Sequence, residues 1–178
     1  MSTKESFGRT VLGYVEIVVF AFILSWGLRS TVVQATVIPT PSMMPTIQLQ
    51  DRVMVDKIVF KLSEIHRGDI IVFHPLTDVD SSGTDWIKRV IGLPGETVEI
   101  KSGKVYINDC ELTESYEMEK PNYIYGPIIV PENSYFVLGD NQNNSLDSHY
   151  WGVLPKENIV GKALFRYWPL ERFGYLAK

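Results

Sequence analysis

The sequence predicts a mainly β, antiparallel domain that follows one N-terminal transmembrane helix. Short runs rich in β-branched and aromatic residues follow one another along most of the chain, and turn signals such as Pro94-Gly95 and Ser102-Gly103 separate them. No soluble stretch keeps a long period of 3.6 residues. With 178 residues and 45% hydrophobic content, the chain is long enough for one folded domain plus appendages.

The membrane helix is predicted from the run Val11 to Leu28, which reads VLGYVEIVVFAFILSWGL and contains one ionisable residue, Glu16. Its length approaches the roughly 20 apolar residues that span a bilayer. A cleavable signal peptide is the alternative. Trp26 and Arg29 follow the apolar core in place of a small-residue cleavage site, which favours an uncleaved anchor.

The charges around this run indicate its orientation. Lys4 and Arg9 precede it, and the positive-inside bias puts the N-terminus in the cytoplasm, although Arg29 on the far side opposes this. We therefore expect residues 1–10 to form a cytoplasmic tail, 11–28 a single-pass anchor, and 30–178 an extracytoplasmic β domain with a small subdomain at about 103–125.

Nine β-rich runs make up the predicted domain, and a short helical turn is expected after Pro155. The runs are Thr31–Ile38, Arg52–Phe60, Asp69–Phe73, Trp86–Gly92, Thr97–Lys101, Lys104–Ile107, Ile128–Val130, Tyr135–Leu138 and Ile159–Tyr167.

The charge of the chain and its cysteine content limit which partners and cross-links are possible. A net charge of -4 with 17 scattered basic residues argues against a nucleic-acid partner. The single cysteine, Cys110, excludes an intramolecular disulfide, and we expect it to be a small apolar packing residue.

Proline surrounds one serine near the start of the β domain. The segment Ile38-Pro39-Thr40-Pro41-Ser42-Met43-Met44-Pro45 has two prolines before Ser42 and one after it, and each proline restricts its own backbone and that of the residue before it. Such a segment holds the Ser42 hydroxyl in one place. Taken alone, the pattern is also typical of an ordinary turn serine.

A nucleophilic serine needs a base within hydrogen-bond reach. The sequence has no G-x-S-x-G, S-x-x-K or H-E-x-x-H motif, and the three histidines, His66, His74 and His149, lie in no triad context; we expect His66 and His74 at the surface. Lysine is then the candidate base, provided that burial or a nearby cation lowers its pKa.

Lys88 fits this requirement best among the lysines. It lies in WIKRVIGLPG, which reads as a half-buried strand whose alternation would put Trp86, Lys88 and Val90 on one face. A solvent-facing lysine whose stem covers apolar surface is the alternative, and the local pattern does not exclude it.

A polar loop dense in turn formers, Gly139 to Gly152, follows the run Tyr135–Leu138. Polar loops on a rigid scaffold often carry function. Asp140 and Asp147 resemble cation ligands, but their spacing departs from that of an EF-hand loop, and the terminal glutamate of that loop is missing. We therefore predict no metal site.

Four segments occur in order behind the apolar N-terminus: PSMMPT, RGDIIVF, WIKRVIGLPGE and GDNQNNSLDSHYWG. Together they resemble the conserved boxes of the type I signal peptidase family, of the bacterial or thylakoid type, over about Pro39 to Trp168. The resemblance implies that family's antiparallel β fold. It also implies a membrane-bound serine endopeptidase that cleaves signal peptides from exported preproteins after small residues, without a metal or organic cofactor.

The resemblance also implies roles for individual residues. Ser42 would be the nucleophile and Lys88 the general base, and the Ser42 backbone N–H with the Thr40 side chain would form the oxyanion hole. Ser145 would hydrogen-bond and orient Lys88. Further residues are implied as supports for the loop and strand, Asp147 and Arg89, and as lining of shallow substrate pockets, Ile38, Met43, Val72 and Ile87.

The sequence departs from the family pattern in two places. His149 stands where many bacterial relatives carry arginine, so any ion pair there would depend on pH. The short segment from Gly103 to Tyr125 suggests the compact subdomain of single-anchor members. The partners implied are signal peptides and the lipid bilayer, with the chain acting as a monomer near the export translocon, in the plasma membrane or a thylakoid membrane.

Two other interpretations stay open at this point. One is a self-cleaving repressor, which shares a Ser/Lys dyad, although the predicted anchor and the lack of a DNA-binding segment argue against it. The other is a catalytically silent, membrane-tethered β domain that serves as a scaffold. The presence of Ser42, Lys88 and Ser145 argues against that interpretation.

Overall fold

The computed structural model describes residues 13–22, 25, 33–58, 63–113, 116 and 118–176. Helix α1 occupies residues 13–22, and its large apolar side chains, such as Phe20 and Phe22, are exposed. Among the described residues, no helix combines the length and the apolar character needed to cross a bilayer. The predicted span Val11 to Leu28 lies in part outside the described residues.

Antiparallel strands form the rest of the fold, as the sequence predicts. The described residues contain twelve strands: β1 (Val33–Val37), β2 (Arg52–Asp56), β3 (Ile70–Phe73), β4 (Trp86–Gly92), β5 (Thr97–Lys101), β6 (Lys104–Ile107), β7 (Cys110–Glu111), β8 (Tyr125–Ile129), β9 (Ser134–Leu138), β10 (Leu154–Pro155), β11 (Ile159–Trp168) and β12 (Gly174–Tyr175). One short helix, α2 (Ser148–Trp151), and three 3₁₀ turns, Gln142–Asn144, Lys156–Asn158 and Leu170–Arg172, lie between them.

The larger sheet has the order β1-β2-β11-β3-β4-β9-β10, with β12 paired to β11. Strand β4 lies inside this sheet, between β3 and β9. Its register places Lys88 opposite Ile71 and Arg89 opposite both Ile70 and Leu138. Every residue of β4 after Trp86 is buried, because both faces of an inner strand are covered here.

The smaller sheet has the order β7-β6-β5-β8 and spans Thr97 to Ile129. It therefore begins before and ends after the predicted subdomain at 103–125. Its inner face packs on β9 through one apolar cluster that both sheets share: Ile91, Val98, Ile100, Val105, Ile107, Val130, Phe136 and Leu138. This cluster fixes the smaller sheet against the strand that leads into the polar loop.

Two more apolar clusters lie on opposite faces of the larger sheet. One underlies the proline-rich segment and contains Ile38, Met43, Ile47, Val53, Val55, Ile70, Val72, Ile87, Ala163 and Leu176. The other contains Ile65, Ile71, Phe73, Val90, Tyr135, Val137, Leu154 and Ile159. Ile87 belongs to the first cluster and Val90 to the second. Residues an odd number of positions apart in a strand are expected on opposite faces of the sheet.

The differences from the sequence prediction concern short elements. β8 begins at Tyr125 rather than Ile128. The backbone of Tyr125 pairs with that of Ile100, and the Tyr125 ring packs against Phe136. The two-residue strands β7, β10 and β12 are too short to show a period. The expectation that Cys110 is a packing residue is wrong, since it is exposed on β7. The turn after Pro155 and the exposure of His66 and His74 are confirmed.

Candidate active site

Ser42 sits in a tight turn at the end of the segment that leaves β1. The Met44 N–H donates to the Pro41 carbonyl at 3.1 Å, and the Ile47 N–H donates to the Met43 carbonyl at 2.9 Å. Met43 and Ile47 are buried in the apolar cluster below the turn. The backbone of Ser42 is therefore held by hydrogen bonds and by packing, which agrees with the stiffness that the prolines predict.

Lys88 reaches Ser42 from the inner strand β4. The Lys88 Nζ donates to the Ser42 Oγ at 2.9 Å, and both side chains are 5% exposed. The interpretation of Lys88 as a solvent-facing lysine is thus wrong. The ammonium also lies 5.6 Å from the centre of the Trp86 ring, two residues earlier on the strand. A serine hydroxyl and a buried lysine share one hydrogen bond across 46 residues of sequence.

The surroundings of Lys88 change its protonation. Burial lowers the pKa of Lys88 from 10.5 to about 8, because the charged ammonium is poorly solvated there. The carboxylates of Asp147 and Asp140 oppose this effect, since negative charge favours the ammonium form. At pH 7 roughly a tenth of Lys88 is consequently neutral and able to accept a proton, far more than for a lysine with a pKa of 10.5.

Thr40 places a second hydroxyl beside the nucleophile position. Its Oγ1 lies 3.3 Å from the Ser42 Oγ, within hydrogen-bond distance. Thr40 is exposed at the cleft and lies two residues before Ser42. The structure thus brings Thr40, Ser42 and Lys88 together at one point.

The polar loop after β9 packs directly behind Ser42. The Asn141 N–H donates to the Ser42 carbonyl at 3.0 Å, and the Asn141 side chain donates to the Pro41 carbonyl at 3.2 Å. A Cβ on Gly139 would lie only 2.4 Å from both the Ser42 carbonyl oxygen and the Ser145 Oγ. Glycine at this position therefore lets the loop approach the turn that holds Ser42.

A buried ion pair attaches the same loop to β4. Arg89 donates to Asp140 from Nε at 2.8 Å and from Nη2 at 2.6 Å, and both residues are almost fully buried. The guanidinium also donates to the Gly68 carbonyl at 2.9 Å and lies 3.9 Å from the centre of the Tyr116 ring. Arg89 therefore supports the loop next to Lys88, with Asp140 as its partner.

Asp147 holds the far end of the loop. Its Oδ2 accepts from the Gly139 N–H at 2.9 Å, and its Oδ1 lies 2.7 Å from the His149 Nδ1. Asp147 also caps helix α2 by accepting from the His149 N–H. Asp140 and Asp147 are thus engaged with Arg89 and His149.

Ser145 is buried in this loop, but its contact differs from the one implied by the resemblance. Its Oγ has no hydrogen-bond partner among the described residues, so Ser145 does not bond Lys88 here. The lysine makes its hydrogen bond to Ser42 instead. The loop therefore delivers Ser145 to the neighbourhood of Ser42, behind Gly139, without closing the expected bond.

A cleft of about 320 Å³ opens above Ser42 and Lys88. Its walls come from the β1 side, from the first half of β4 and from the polar loop: Thr36, Ile38, Pro39, Thr40, Pro41, Ser42, Val72, Thr84, Asp85, Trp86, Ile87, Lys88, Asn144 and Leu146. Ile38, Val72 and Ile87 are among these lining residues. Met43 is not, because its side chain is fully buried in the cluster below, so its assignment as a pocket residue is wrong.

Sequence reasoning missed three residues of this site. The sequence presents Asp140 only as a possible cation ligand, indicates no role for Asn141, and shows Gly139 only as the first residue of a polar loop. Their partners Arg89, Ser42 and Ser145 lie elsewhere in the chain or depend on the loop's conformation. The density of polar turn formers was the available signal, and it does not indicate which residue meets which.

Comparison with known proteins identifies the family. The family model for signal peptidase, peptidase S26, matches residues 11–168. Signal peptidase I of Leptolyngbya laminosa is 48% identical over 158 residues, 86% of this chain and 78% of that protein. Thylakoidal processing peptidase 1 of Arabidopsis thaliana is 40% identical, over 79% of this chain and 44% of the plant protein. A crystal structure of a signal peptidase I from Enterococcus faecalis is 33% identical, over 56% of this chain and 97% of that one, with a TM-score of 0.46.

These matches extend far beyond the four short segments noted in the sequence. The family model covers most of the chain, and the cyanobacterial relative aligns over most of both sequences. The chain therefore belongs to the signal peptidase family, peptidase S26, a family of peptidases.

Proposed function

We propose that this chain is a membrane-bound serine endopeptidase that removes N-terminal signal peptides from exported preproteins, with Ser42 as nucleophile and Lys88 as general base. One observation carries the proposal: the Lys88 Nζ lies 2.9 Å from the Ser42 Oγ on the floor of an open cleft. A base with a pKa of about 8 is well matched to accept a proton near neutral pH.

The reaction follows from this geometry. Neutral Lys88 accepts the proton of Ser42, and the Ser42 Oγ attacks the scissile carbonyl carbon to form a tetrahedral intermediate. As the C–N bond breaks, the Lys88 ammonium returns the proton to the leaving amine and an acyl-enzyme ester remains. Lys88 then takes a proton from water, whose oxygen attacks the ester carbonyl carbon. As the ester C–O bond breaks, the Lys88 ammonium gives that proton to the Ser42 Oγ, and the signal peptide leaves with a carboxylate end. No metal or organic cofactor takes part.

The Thr40 hydroxyl and the Ser42 backbone N–H are assigned to the negative oxygen of the tetrahedral intermediate. The Thr40 Oγ1 lies 3.3 Å from the Ser42 Oγ, close to where that oxygen would form. Donors placed where charge develops lower the barrier because they need no reorganisation during the reaction.

The cleft suits an extended peptide with small side chains. β1 is the terminal strand of its sheet, and β9 pairs only with the Arg89–Gly92 part of β4. Among the described residues, two strand edges therefore border the cleft and offer backbone groups to a substrate strand. The apolar walls at Ile38, Val72 and Ile87 favour small residues such as those of an A-x-A site.

Three further residues are assigned supporting roles. Arg89 and Asp147 hold the loop through Asp140 and Gly139. Ser145 is proposed to orient Lys88 during the reaction, when the lysine no longer donates to Ser42. Its hydroxyl is buried behind the nucleophile and has no competing partner among the described residues.

The same proposal includes a membrane topology. Residues 1–10 are assigned to the cytoplasm, 11–28 to a single-pass anchor and 30–178 to the extracytoplasmic side, where signal peptides emerge near the translocon. The family match begins at residue 11, at the apolar run. The match to a thylakoidal processing peptidase makes a thylakoid membrane the second candidate location. We propose that the chain works as a monomer in its membrane.

The decisive experiment uses a detergent-solubilised preprotein with an A-x-A site. Wild type, Ser42→Ala, Lys88→Met, Thr40→Val and Thr40→Ser are compared by the mass of the mature product. We expect cleavage after A-x-A by wild type and Thr40→Ser, none by the first two variants, and a loss of ~10²–10³ in rate for Thr40→Val.

Two results would contradict the proposal. Cleavage by Ser42→Ala at the wild-type rate would remove Ser42 as the nucleophile. A wild type that is inert on several preproteins would favour a scaffold or binding role for the domain.

A further inference from the structure

Two fully buried aspartates act on Lys88 through their charge, and they have different partners. Asp140 accepts two hydrogen bonds from Arg89, at 2.8 and 2.6 Å, and a guanidinium carries a permanent positive charge. Asp147 is paired with His149, whose Nδ1 lies 2.7 Å from the Asp147 Oδ1. An imidazole donates such a bond also as a neutral group, and the carboxylate charge is then not compensated.

His149 is held tightly in this position. Its side chain is 8% exposed and lies between two aromatic rings. The Tyr123 ring, from the segment before β8, stacks on it with centroids 4.0 Å apart and planes 13° apart, and the Tyr150 ring of α2 lies at 4.0 Å on a tilt. Burial, and then the charge of Asp147, raise the pKa of Tyr123, so this phenol stays neutral beside the pair.

Among the described residues, the dyad region contributes further charged groups. They are Lys88 and Arg89 on β4 and Asp140 in the loop; Arg89 pairs with Asp140, whose charge acts on Lys88 less strongly than that of Asp147. Asp147 acts on Lys88 through its charge, which favours the ammonium form and opposes the effect of burial. Whatever compensates Asp147 therefore changes how readily Lys88 loses its proton.

We propose that His149 is a positioning residue for the cleavage reaction: it holds Asp147 as a buried carboxylate without a permanent counter-charge and so sets the pH range in which Lys88 works as a base. This inference rests on the proposed function, because it takes Lys88 as the base. It assigns to His149 an effect on the reaction that goes beyond support of the loop.

The direction of the effect follows from charge. An arginine at position 149 would add a permanent positive charge beside Asp147. That charge would neutralise the carboxylate and would also repel the Lys88 ammonium. Both effects favour neutral Lys88, so the base would become active at a lower pH.

The test is the pH dependence of kcat/KM on a peptide substrate with an A-x-A site. His149→Arg should move the acidic limb of the profile to lower pH by roughly one unit, a size typical of a charge change felt through a partly polar interior. His149→Asn, whose amide nitrogen replaces Nδ1 as a neutral donor, should leave the limb in place. His66→Arg adds the same charge at an exposed site, where solvent screens it, and serves as the control.

The outcomes separate this inference from the proposed function. A folded His149→Arg enzyme whose limb coincides with that of wild type would overturn the inference, since a purely structural role lowers kcat equally at every pH. If His149→Arg does not fold, Asp147→Asn removes the carboxylate charge itself and should also move the acidic limb to lower pH. An unchanged limb in Asp147→Asn would equally contradict the inference. A wild type without any cleavage activity would instead overturn the proposed function.

Discussion

Burial makes Lys88 a candidate base. An exposed lysine keeps its proton near neutral pH, whereas Lys88 lies on an inner strand where the apolar surroundings lower its pKa to about 8. The same burial makes the charged form a source of instability in the folded protein. Activity and stability should therefore both depend on the protonation of this one group.

We predict that kcat/KM rises with pH through about 8, because only neutral Lys88 accepts the Ser42 proton.

The free energy of unfolding should also depend on pH. The pKa of Lys88 is lower in the folded state than the ordinary 10.5, so the cost of burying the ammonium is present below about 8 and is relieved as the pH rises toward 10.5. Lys88→Met should thus be more stable than wild type at pH 7, by up to about 3 kcal/mol.

Denaturant unfolding of wild type and Lys88→Met from pH 6 to 10.5 measures the difference between their free energies of unfolding. This difference should shrink as the pH increases. A difference that stays constant over this range would mean that Lys88 is not buried as an ammonium.

At the scale of elements, the loop after β9 is what completes the site. It contacts the Ser42 turn through Asn141, β4 through Asp140 and helix α2 through Asp147. It also reaches the segment before β8, where the Asn143 side chain donates to the Lys120 carbonyl at 2.9 Å and accepts from the Asn122 N–H at 2.8 Å. A displacement of this loop would move several parts of the site at once.

Gly139→Ala tests this coupling. The new Cβ would lie 2.4 Å from the Ser42 carbonyl oxygen and from the Ser145 Oγ, so the loop and the turn cannot keep their present separation. Displacements of about 1 Å at a catalytic group typically cost on the order of 10²-fold in rate. We expect a loss of that size in kcat with a folded protein by circular dichroism.

Gly174→Ala is the matched control for that variant, because nothing lies within 4 Å of its added Cβ. Its kcat should equal that of wild type. Wild-type kcat in Gly139→Ala would show that the close approach of the loop has no role in catalysis.

At the scale of the whole molecule, two sheets share one apolar cluster, and the cleft is lined from the β1 side, from β3 and β4 and from the polar loop. Exposed apolar side chains at Trp168, Leu170 and Phe173 lie near the end of β11. Such side chains suit contact with a bilayer interface, where aromatic residues are enriched. They support the proposed location of the domain at a membrane surface.

Cys110 offers a direct test of the topology. It is the single cysteine of the chain and is exposed on β7. If the domain is extracytoplasmic, a membrane-impermeant maleimide should label it in sealed spheroplasts, and Cys110→Ser should show only background. Labelling that requires lysis would contradict a plasma-membrane location with an extracytoplasmic domain, and would leave a thylakoid lumen or the cytoplasm as the compartment of the domain.

The strands themselves could be predicted from the sequence. Alternating β-branched and aromatic runs bounded by glycine and proline correspond to β2, β3, β5, β6, β9 and β11, because such patterns reflect local backbone preference and burial. The stiff turn at Ser42 was likewise predictable, since proline restricts the backbone whatever the tertiary context. Joint occurrence of the four segments was enough to indicate the family.

The chemistry of the site was decided by tertiary structure. Neither the burial of Lys88 nor its contact with Ser42 follows from local sequence, because both depend on where β4 lies in the sheet and on a turn 46 residues away. The pairing of Arg89 with Asp140 and the burial of Met43 have the same origin, as does the position of the Ser145 hydroxyl, which has no hydrogen-bond partner in the described part of the chain. Sequence determined which side chains this protein can use, whereas packing determined their neighbours, and the neighbours set solvation and charge.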